Sequence, residues 1–216
     1  MNAKAAESSP GARAPVIGLT VGIASGKTTV SQRLAGLGAH VIDADSVGHR
    51  VLEPGGEAYA DVLRAFGEGI LDEERRIARR KLGALVFGDP EKLAALNAIS
   101  HPRMAARMAR EIAEIQARPE PPRAIVLDAA ILFQAGWERL CDCVWTVSAP
   151  DELAVARLAE RNGMAEPEAR ARLAAQWSNA QREARADRVL RNTGTREDLI
   201  AQVERLWREL LAETAH

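Results

Sequence analysis

The apolar positions of the chain form two kinds of pattern, which are short continuous runs towards both ends and helical spacing between them. Runs rich in β-branched residues stand at 15–20, 124–129 and 143–149, and each has the length of a buried strand. Two further segments, 40–45 and 188–192, are also predicted to be strands. Because helical segments separate them, the strands are expected to pair in parallel, which predicts an α/β fold with a five-stranded parallel sheet.

Helical spacing dominates residues 46–122 and returns at 151–186, which predicts two helical insertions into the α/β core. Asp89 precedes Pro90, as an N-cap followed by proline in the first turn, and predicts a helix start. Ser100 is expected to cap a further helix, so a break is predicted near that residue.

Two further helices are bounded by sequence signals nearer the ends of the chain. A helix over 27–37 places Val30, Leu34 and Leu37 on one face, and Gly38 is expected to end it. Thr195, three residues before an aspartate, is predicted to open the last helix, which runs to about residue 211.

Composition and charge narrow the class of protein. The 216 residues are 47% hydrophobic and 27% charged, which is typical of a globular protein. The net charge of −1 argues against nucleic-acid and anionic-membrane partners, and no apolar run is long enough to span a bilayer. The small polar residues 1–14 are predicted to be a disordered tail. Two cysteines, Cys141 and Cys143, are too few for a metal site and fit the reducing cytoplasm.

The segment TVGIASGKTTV (20–30) is close to the phosphate-loop pattern G-x-x-x-x-G-K-[ST], with Val21 in place of the first glycine. It follows a predicted strand and begins a predicted helix, which is the setting where backbone N–H groups surround a phosphate. Lys27 is expected to reach the β- and γ-phosphates, and the Thr28 hydroxyl to ligate Mg²⁺. Val21 is expected to be extended at the end of the strand. The predicted ATP-binding residues are Gly22, Ile23, Ala24, Ser25, Gly26, Lys27, Thr28 and Thr29.

A GTP-dependent switch protein is the first alternative. Residues 45–48 match D-x-x-G, but they follow the loop too closely to leave a switch segment, and no N-K-x-D motif occurs. The loop therefore favours a kinase.

Several segments together resemble the dephospho-coenzyme A kinase family. They include GAHVIDAD (38–45), LNAISHP (96–102) and ADRVLRNTG (186–194), and the likeness extends in order from about 16 to 205. The resemblance implies ATP- and Mg²⁺-dependent phosphorylation of the ribose 3′-hydroxyl of dephospho-CoA, the last step of coenzyme A synthesis. It also implies a monomer or small homo-oligomer acting on a small molecule.

The resemblance also assigns the segments of the chain. It implies a three-layer phosphate-loop kinase core formed by 15–45, 123–150 and 187–213. Residues 46–122 would be a helical substrate-binding insertion, and 151–186 a helical lid.

Catalytic roles follow from the same resemblance. Asp45 would be the base that takes the proton of the hydroxyl, although it could simply cap a helix. Arg157 and Arg161, four residues apart, would stabilise the transferring phosphoryl group, unless they lie on a solvated face. Asp128 would organise Mg²⁺, or merely end a strand.

Two residues of the helical insertion are expected to bind substrate together with Asp45. Arg79 would hold the pyrophosphate of dephospho-CoA, although it belongs to a basic cluster that could be an exposed helix face. His101 matches a family motif, although a histidine at a helix start is more often structural.

Four positions depart from the family pattern. Val21, Ala130, Gln134 and Ala154 replace glycine, proline, glutamate and glutamine. They leave two alternatives open, a kinase for another small molecule such as a nucleoside or nucleotide, and a descendant that binds ATP without catalysis.

Overall fold

The structure, a computed structural model, describes residues 13–214, without the side chains of residues 161 and 162. Of the predicted disordered tail, residues 1–12 lie outside this range. Ala14 does not fit that prediction, because it is buried and its carbonyl accepts a 2.7 Å hydrogen bond from Gln116 Nε2.

A five-stranded sheet forms the centre of the fold, and the predicted α/β class is confirmed. Its strands are β1 (Val16–Val21), β2 (Ala39–Asp43), β3 (Ala124–Asp128), β4 (Cys143–Ser148) and β5 (Arg188–Arg191), in the order β2-β3-β1-β4-β5. Strand β1 pairs in parallel with β3 and β4, and β4 with β5. Later strands lie on both sides of β1, with β3 on one side and β4 on the other. The carboxyl end of β1 is therefore a switch point, where α/β sheets bind ligands.

The helices connect and flank these strands. They are α1 (Lys27–Gly36), α2 (Ala44–Val51), α3 (Tyr59–Phe66), α4 (Arg79–Val86), α5 (Pro90–Gln116), α6 (Asp151–Asn162), α7 (Glu166–Ala174), α8 (Asn179–Glu183) and α9 (Arg196–Glu213). Among the described residues, no helix is long and apolar enough to cross a membrane.

One face of the sheet is covered by α1 and α9. As predicted, Val30 and Leu34 are buried there, and Leu37 packs at the margin. The opposite face is packed so closely that a Cβ at Gly18 would lie 2.8 Å from Leu132 Cδ2. The predicted cap Thr195 accepts a hydrogen bond from the backbone of Asp198 and opens α9.

The chain divides into two compact units. One combines the residues up to Val41 with those from Glu114 onwards and contains most of the sheet, and the other is Ile42–Ala113. The second unit contains α2, α3, α4 and most of α5.

The predicted break near residue 100 is wrong, because α5 runs without interruption from Pro90 to Gln116 and includes Pro102. Proline removes one helical hydrogen bond, but tertiary contacts support the helix at this point. Arg103 donates to the carbonyl of Ile99 at 2.7 Å and to that of Glu57 at 2.9 Å. The start at Pro90 is as predicted, with Asp89 accepting from the backbone N–H of Lys92.

Candidate active site

The glycine-rich segment forms a tight loop between the end of β1 and the start of α1. The carbonyl of Gly22 accepts from the N–H of Ser25 at 3.2 Å, and Gly26 immediately before the helix has φ of 102°. Helix α1 has no side-chain cap and no acidic residue in its first turn. Its positive end is thus open to an anion, as a phosphate loop requires.

Three side chains from distant parts of the chain hold the loop in this shape. Gln176 Oε1 accepts from the N–H of Ile23 at 3.2 Å, and Asn192 Nδ2 donates to the carbonyl of Ser25 at 2.9 Å. Arg157 donates to the carbonyl of Ala24 at 3.3 Å and to Asn192 Oδ1 at 3.2 Å. These contacts support Ala24, whose φ of 56° is unusual for a residue other than glycine.

Lys27 and Asp128 meet beside the loop. Asp128 is the last residue of β3, adjacent to β1, and its side chain is buried. Lys27 Nζ lies 3.0 Å from Asp128 Oδ1. Asp128 therefore ends a strand and also lies in contact with the phosphate-loop lysine. Thr28, on the next position of α1, is exposed.

A cleft of about 370 Å³ opens next to the loop, with Gly22 and Ile23 in its wall. Its other walls come from α6, α7 and the segment that follows them, and include Ala154, Trp177 and Arg182. Arg182 is buried against Gly22, where any Cβ would overlap its Nη2. The cleft therefore combines the loop with a buried guanidinium.

Arg157 lies in the first of these helices, and it is partly buried against the loop rather than on a solvated face. Arg161 lies one turn further along α6, and its side chain is outside the described residues.

Asp45 lies in the first turn of α2, in the second compact unit. The alternative role of Asp45 as a helix cap is wrong. The N-cap is Asp43, which accepts a hydrogen bond from the N–H of Asp45 at 3.1 Å. Helix α2 begins at Ala44, so strand β2 ends two residues earlier than predicted. The Asp45 side chain is exposed and makes no hydrogen bond or ion pair within residues 13–214.

The two predicted substrate-binding residues lie in the same unit. Arg79 begins α4 and is exposed, with no ion pair inside the described range. Its neighbours Arg75 and Arg76 are paired with acidic side chains. His101 lies inside α5 rather than at a helix start, and burial lowers the pKa of its imidazole.

The four departures from the family pattern have different environments. Val21 is the last residue of β1, buried and extended, as predicted. Ala154 is buried in the cleft wall, and the Ala130 carbonyl accepts from Thr20 Oγ1 at 3.3 Å. Gln134 is exposed.

Sequence reasoning did not select Asn192, Gln176 or Arg182 as site residues. Asn192 and Gln176 bond to loop backbone more than 150 positions away, and no local pattern indicates such contacts. The resemblance to the family covers this part of the chain, because it extends to about residue 205, but it assigned no role to these three residues.

Comparison with known proteins agrees with this geometry. The family model for dephospho-CoA kinase matches residues 15–198. The dephospho-CoA kinase of Geobacillus kaustophilus is 46% identical over 188 residues, which are 87% of this chain and 92% of the relative.

Solved structures show the same fold. A Thermus thermophilus protein has a TM-score of 0.75 at 35% identity, covering 93% of this chain and 98% of that one. The dephospho-CoA kinase from Campylobacter jejuni has a TM-score of 0.62 at 24% identity, covering 91% and 97%, and supports the fold alone. With a phosphate loop at the switch point and a family match over most of its length, this chain belongs to the dephospho-CoA kinase family.

Proposed function

We propose that this protein transfers the γ-phosphoryl group of ATP to the ribose 3′-hydroxyl of dephospho-CoA, giving CoA and ADP. The observation that carries the proposal is the family match over 15–198, which includes a loop of phosphate-binding geometry. The enzyme is thus a phosphotransferase with an alcohol acceptor, acting in the last step of coenzyme A synthesis. Free thiols at Cys141 and Cys143 are consistent with a cytoplasmic location.

ATP would be held by residues 22–29. The backbone N–H groups of the loop and the open end of α1 surround the inner phosphates, and Lys27 neutralises charge on the outer ones. Its 3.0 Å contact with Asp128 keeps the ammonium beside the loop before the nucleotide arrives.

Mg²⁺ would be bound at the Thr28 hydroxyl, with Asp128 organising its surroundings. The donor set fits this ion, because Mg²⁺ commonly takes one or two protein oxygens with phosphate oxygens and water. When bound, the ion would supply positive charge that offsets the negative charge of the phosphates. Thr28 is exposed at the loop–helix junction, and the Asp128 carboxylate lies at the adjacent strand end.

The proton of the acceptor hydroxyl would pass to Asp45. The hydroxyl oxygen forms a bond to the γ-phosphorus while the bond from that phosphorus to the β,γ-bridging oxygen breaks. Because the Asp45 carboxylate is exposed and has no partner in the described part of the chain, it is available to accept the proton.

The helical segments would supply the remaining functions. We assign residues 46–122 to substrate binding, with Arg79 holding the pyrophosphate of dephospho-CoA and His101 supporting the acceptor site. We assign 151–186 to a lid in which Arg157 and Arg161 offset charge on the transferring group. Arg157 supports this role through its contact with the loop.

A substrate panel tests the proposal. Purified protein is incubated with ATP and Mg²⁺ and one acceptor at a time, either dephospho-CoA, adenosine, AMP or cytidine, and products are identified by mass spectrometry. CoA formed at least about a hundredfold faster than any other product supports the proposal. Faster phosphorylation of a nucleoside or nucleotide would contradict the proposal and indicate a kinase for that substrate. ATP binding without any product would contradict the proposal and indicate a protein that binds ATP without catalysis.

A further inference from the structure

Arg182 is a buried arginine without a charged partner. It lies in α8 with only 5% of its surface exposed. Its guanidinium donates to the carbonyl of Trp177 and, at 2.8 Å, to Asn179 Oδ1, which are both neutral acceptors. Its Nε is buried and has no hydrogen-bond partner in residues 13–214.

Burial of this kind is unfavourable for a positive charge. Loss of water around Arg182 lowers the pKa of its guanidinium, and no acid within the described range forms an ion pair with it. Asp151 and Glu183 act on it only as more distant charges. Because buried charges are ordinarily paired, the position of Arg182 indicates an anionic ligand that completes the site.

The location of the guanidinium identifies the kind of anion. Nη2 lies so close to Gly22 that any side chain there would collide with it, and the same Cβ would be 3.0 Å from Ser25 Oγ. Arg182 and Gly22 both line the cleft beside the loop. The guanidinium is therefore held against the strand end of the phosphate loop, opposite the end that leads into α1.

We infer that Arg182 contacts the terminal phosphate of ATP and stabilises the phosphoryl group as it is transferred. Loop N–H groups and the helix end account for the inner phosphates, and Lys27 supplies one positive charge to the outer ones. The Gly22 side of the terminal phosphate still has room for a second cation. Arginine suits this position, because its fork of donors matches the equatorial oxygens of a phosphoryl group. The residue forms hydrogen bonds only, and it takes no proton. This inference rests on the proposed kinase function.

A purely structural role is the competing explanation. The bonds to the Trp177 carbonyl and Asn179 would then serve only to shape the segment before α8. Such a role predicts that replacing Arg182 weakens the binding of ADP and of ATP equally. Contact with the terminal phosphate predicts that the binding of ATP is weakened more than that of ADP.

The test compares full-length wild type with Arg182→Met, Arg182→Lys and a control, Arg172→Met. Arg172 is an exposed arginine of α7 that pairs with Glu168 one turn away and does not line the cleft. Titration calorimetry measures the Kd for ADP and for the β,γ-imido analogue of ATP in the presence of Mg²⁺. Steady-state assays give kcat with dephospho-CoA, and thermal unfolding confirms that each variant is folded.

The inference predicts a selective loss. Arg182→Met should raise the Kd of the analogue about thirtyfold, keep that of ADP within about threefold, and lower kcat by about a hundredfold or more. Arg182→Lys keeps the charge without the fork, so it should lose about fivefold in analogue affinity and about tenfold in kcat. Arg172→Met should match wild type in all three. If Arg182→Met does not fold, Arg182→Lys alone decides the test, and it must weaken the binding of the analogue more than that of ADP.

Equal weakening of ADP and the analogue, or unchanged analogue binding with unchanged kcat, would overturn the inference. The binding measurements need no acceptor, so they separate this claim from the proposed function. If wild type binds the analogue but does not phosphorylate dephospho-CoA, the proposed function fails, and the two Kd values still decide whether Arg182 contacts the terminal phosphate.

Discussion

Val21 provides the most informative test of the phosphate loop, because it replaces a glycine of the usual motif. It is buried at the end of β1, opposite Val147 of β4, and belongs to the core beneath α1 and α9. Its backbone is extended, so a glycine is not required there for conformational freedom. We therefore expect Val21→Gly to reduce stability and to leave catalysis nearly unchanged.

The size of the stability loss follows from the burial. Three carbon atoms leave the core, each worth about 0.8 kcal/mol. Glycine in a strand adds about 0.5–1 kcal/mol of conformational entropy, so Val21→Gly should cost about 3 kcal/mol of unfolding free energy. For a chain of this length each kcal/mol lowers Tm by about 2–4 °C, which predicts a decrease of about 6–12 °C. Val21→Ala should lose about half as much.

Thermal unfolding followed by circular dichroism measures the loss of stability. ADP release measures catalysis, at a temperature where the wild type and the variants are folded. Val147→Ala is the matched control, because Val147 is also buried but lies outside the loop. Both alanine variants should lose similar stability and keep kcat/KM within about threefold. A tenfold rise in kcat/KM in Val21→Gly, worth about 1.4 kcal/mol of barrier, would refute the conclusion that valine is neutral in the loop.

Three further predictions concern the loop support and the thiols. Gly26→Ala should abolish ATP binding by calorimetry, because φ there is 102° and a Cβ would lie 2.5 Å from Asn192 Nδ2; wild-type affinity would contradict this. Asn192→Ala should weaken ADP binding by about tenfold, since the Ser25 carbonyl loses its donor, and unchanged affinity would show that the loop holds its shape alone. Burial raises the pKa of Cys141 to about 12, so its thiolate is scarce at pH 8. Iodoacetamide labelling, followed by mass spectrometry, should be at least about a hundredfold slower in native than in denatured protein, and equal rates would contradict the burial.

The sheet could be predicted from sequence because its signals are local. Strands β1, β3 and β4 are apolar runs rich in β-branched residues, whereas β2 and β5 mix apolar with polar or charged positions. Each strand was located to within two residues at either end. The caps Asp89 and Thr195 were also found, since a capping side chain bonds to backbone only a few residues ahead.

Tertiary support was not predictable in the same way. The break expected near Ser100 does not occur, because the Arg103 guanidinium supports α5 through contacts that include the carbonyl of Glu57, 46 residues away. The loop is held by Arg157 and Asn192, which lie 133 and 167 positions from the carbonyls they contact. Local periodicity does not predict contacts between residues so far apart in sequence, so these contacts could be identified only from the structure.

The catalytic assignment of Asp45 remains a prediction, and one measurement tests it together with the substrate. ADP release is followed with ATP and Mg²⁺, in the presence and absence of dephospho-CoA, for wild type, Asp45→Asn and the control Glu53→Gln. Glu53 is an exposed carboxylate just after the same helix, so its loss matches the change of charge.

The account predicts ADP release that depends on dephospho-CoA in wild type and in Glu53→Gln, and a decrease of about a hundredfold or more in kcat for Asp45→Asn with ATP affinity retained. Full activity in Asp45→Asn would contradict the assignment of the base. ADP release that is the same with and without dephospho-CoA would contradict the proposed reaction itself.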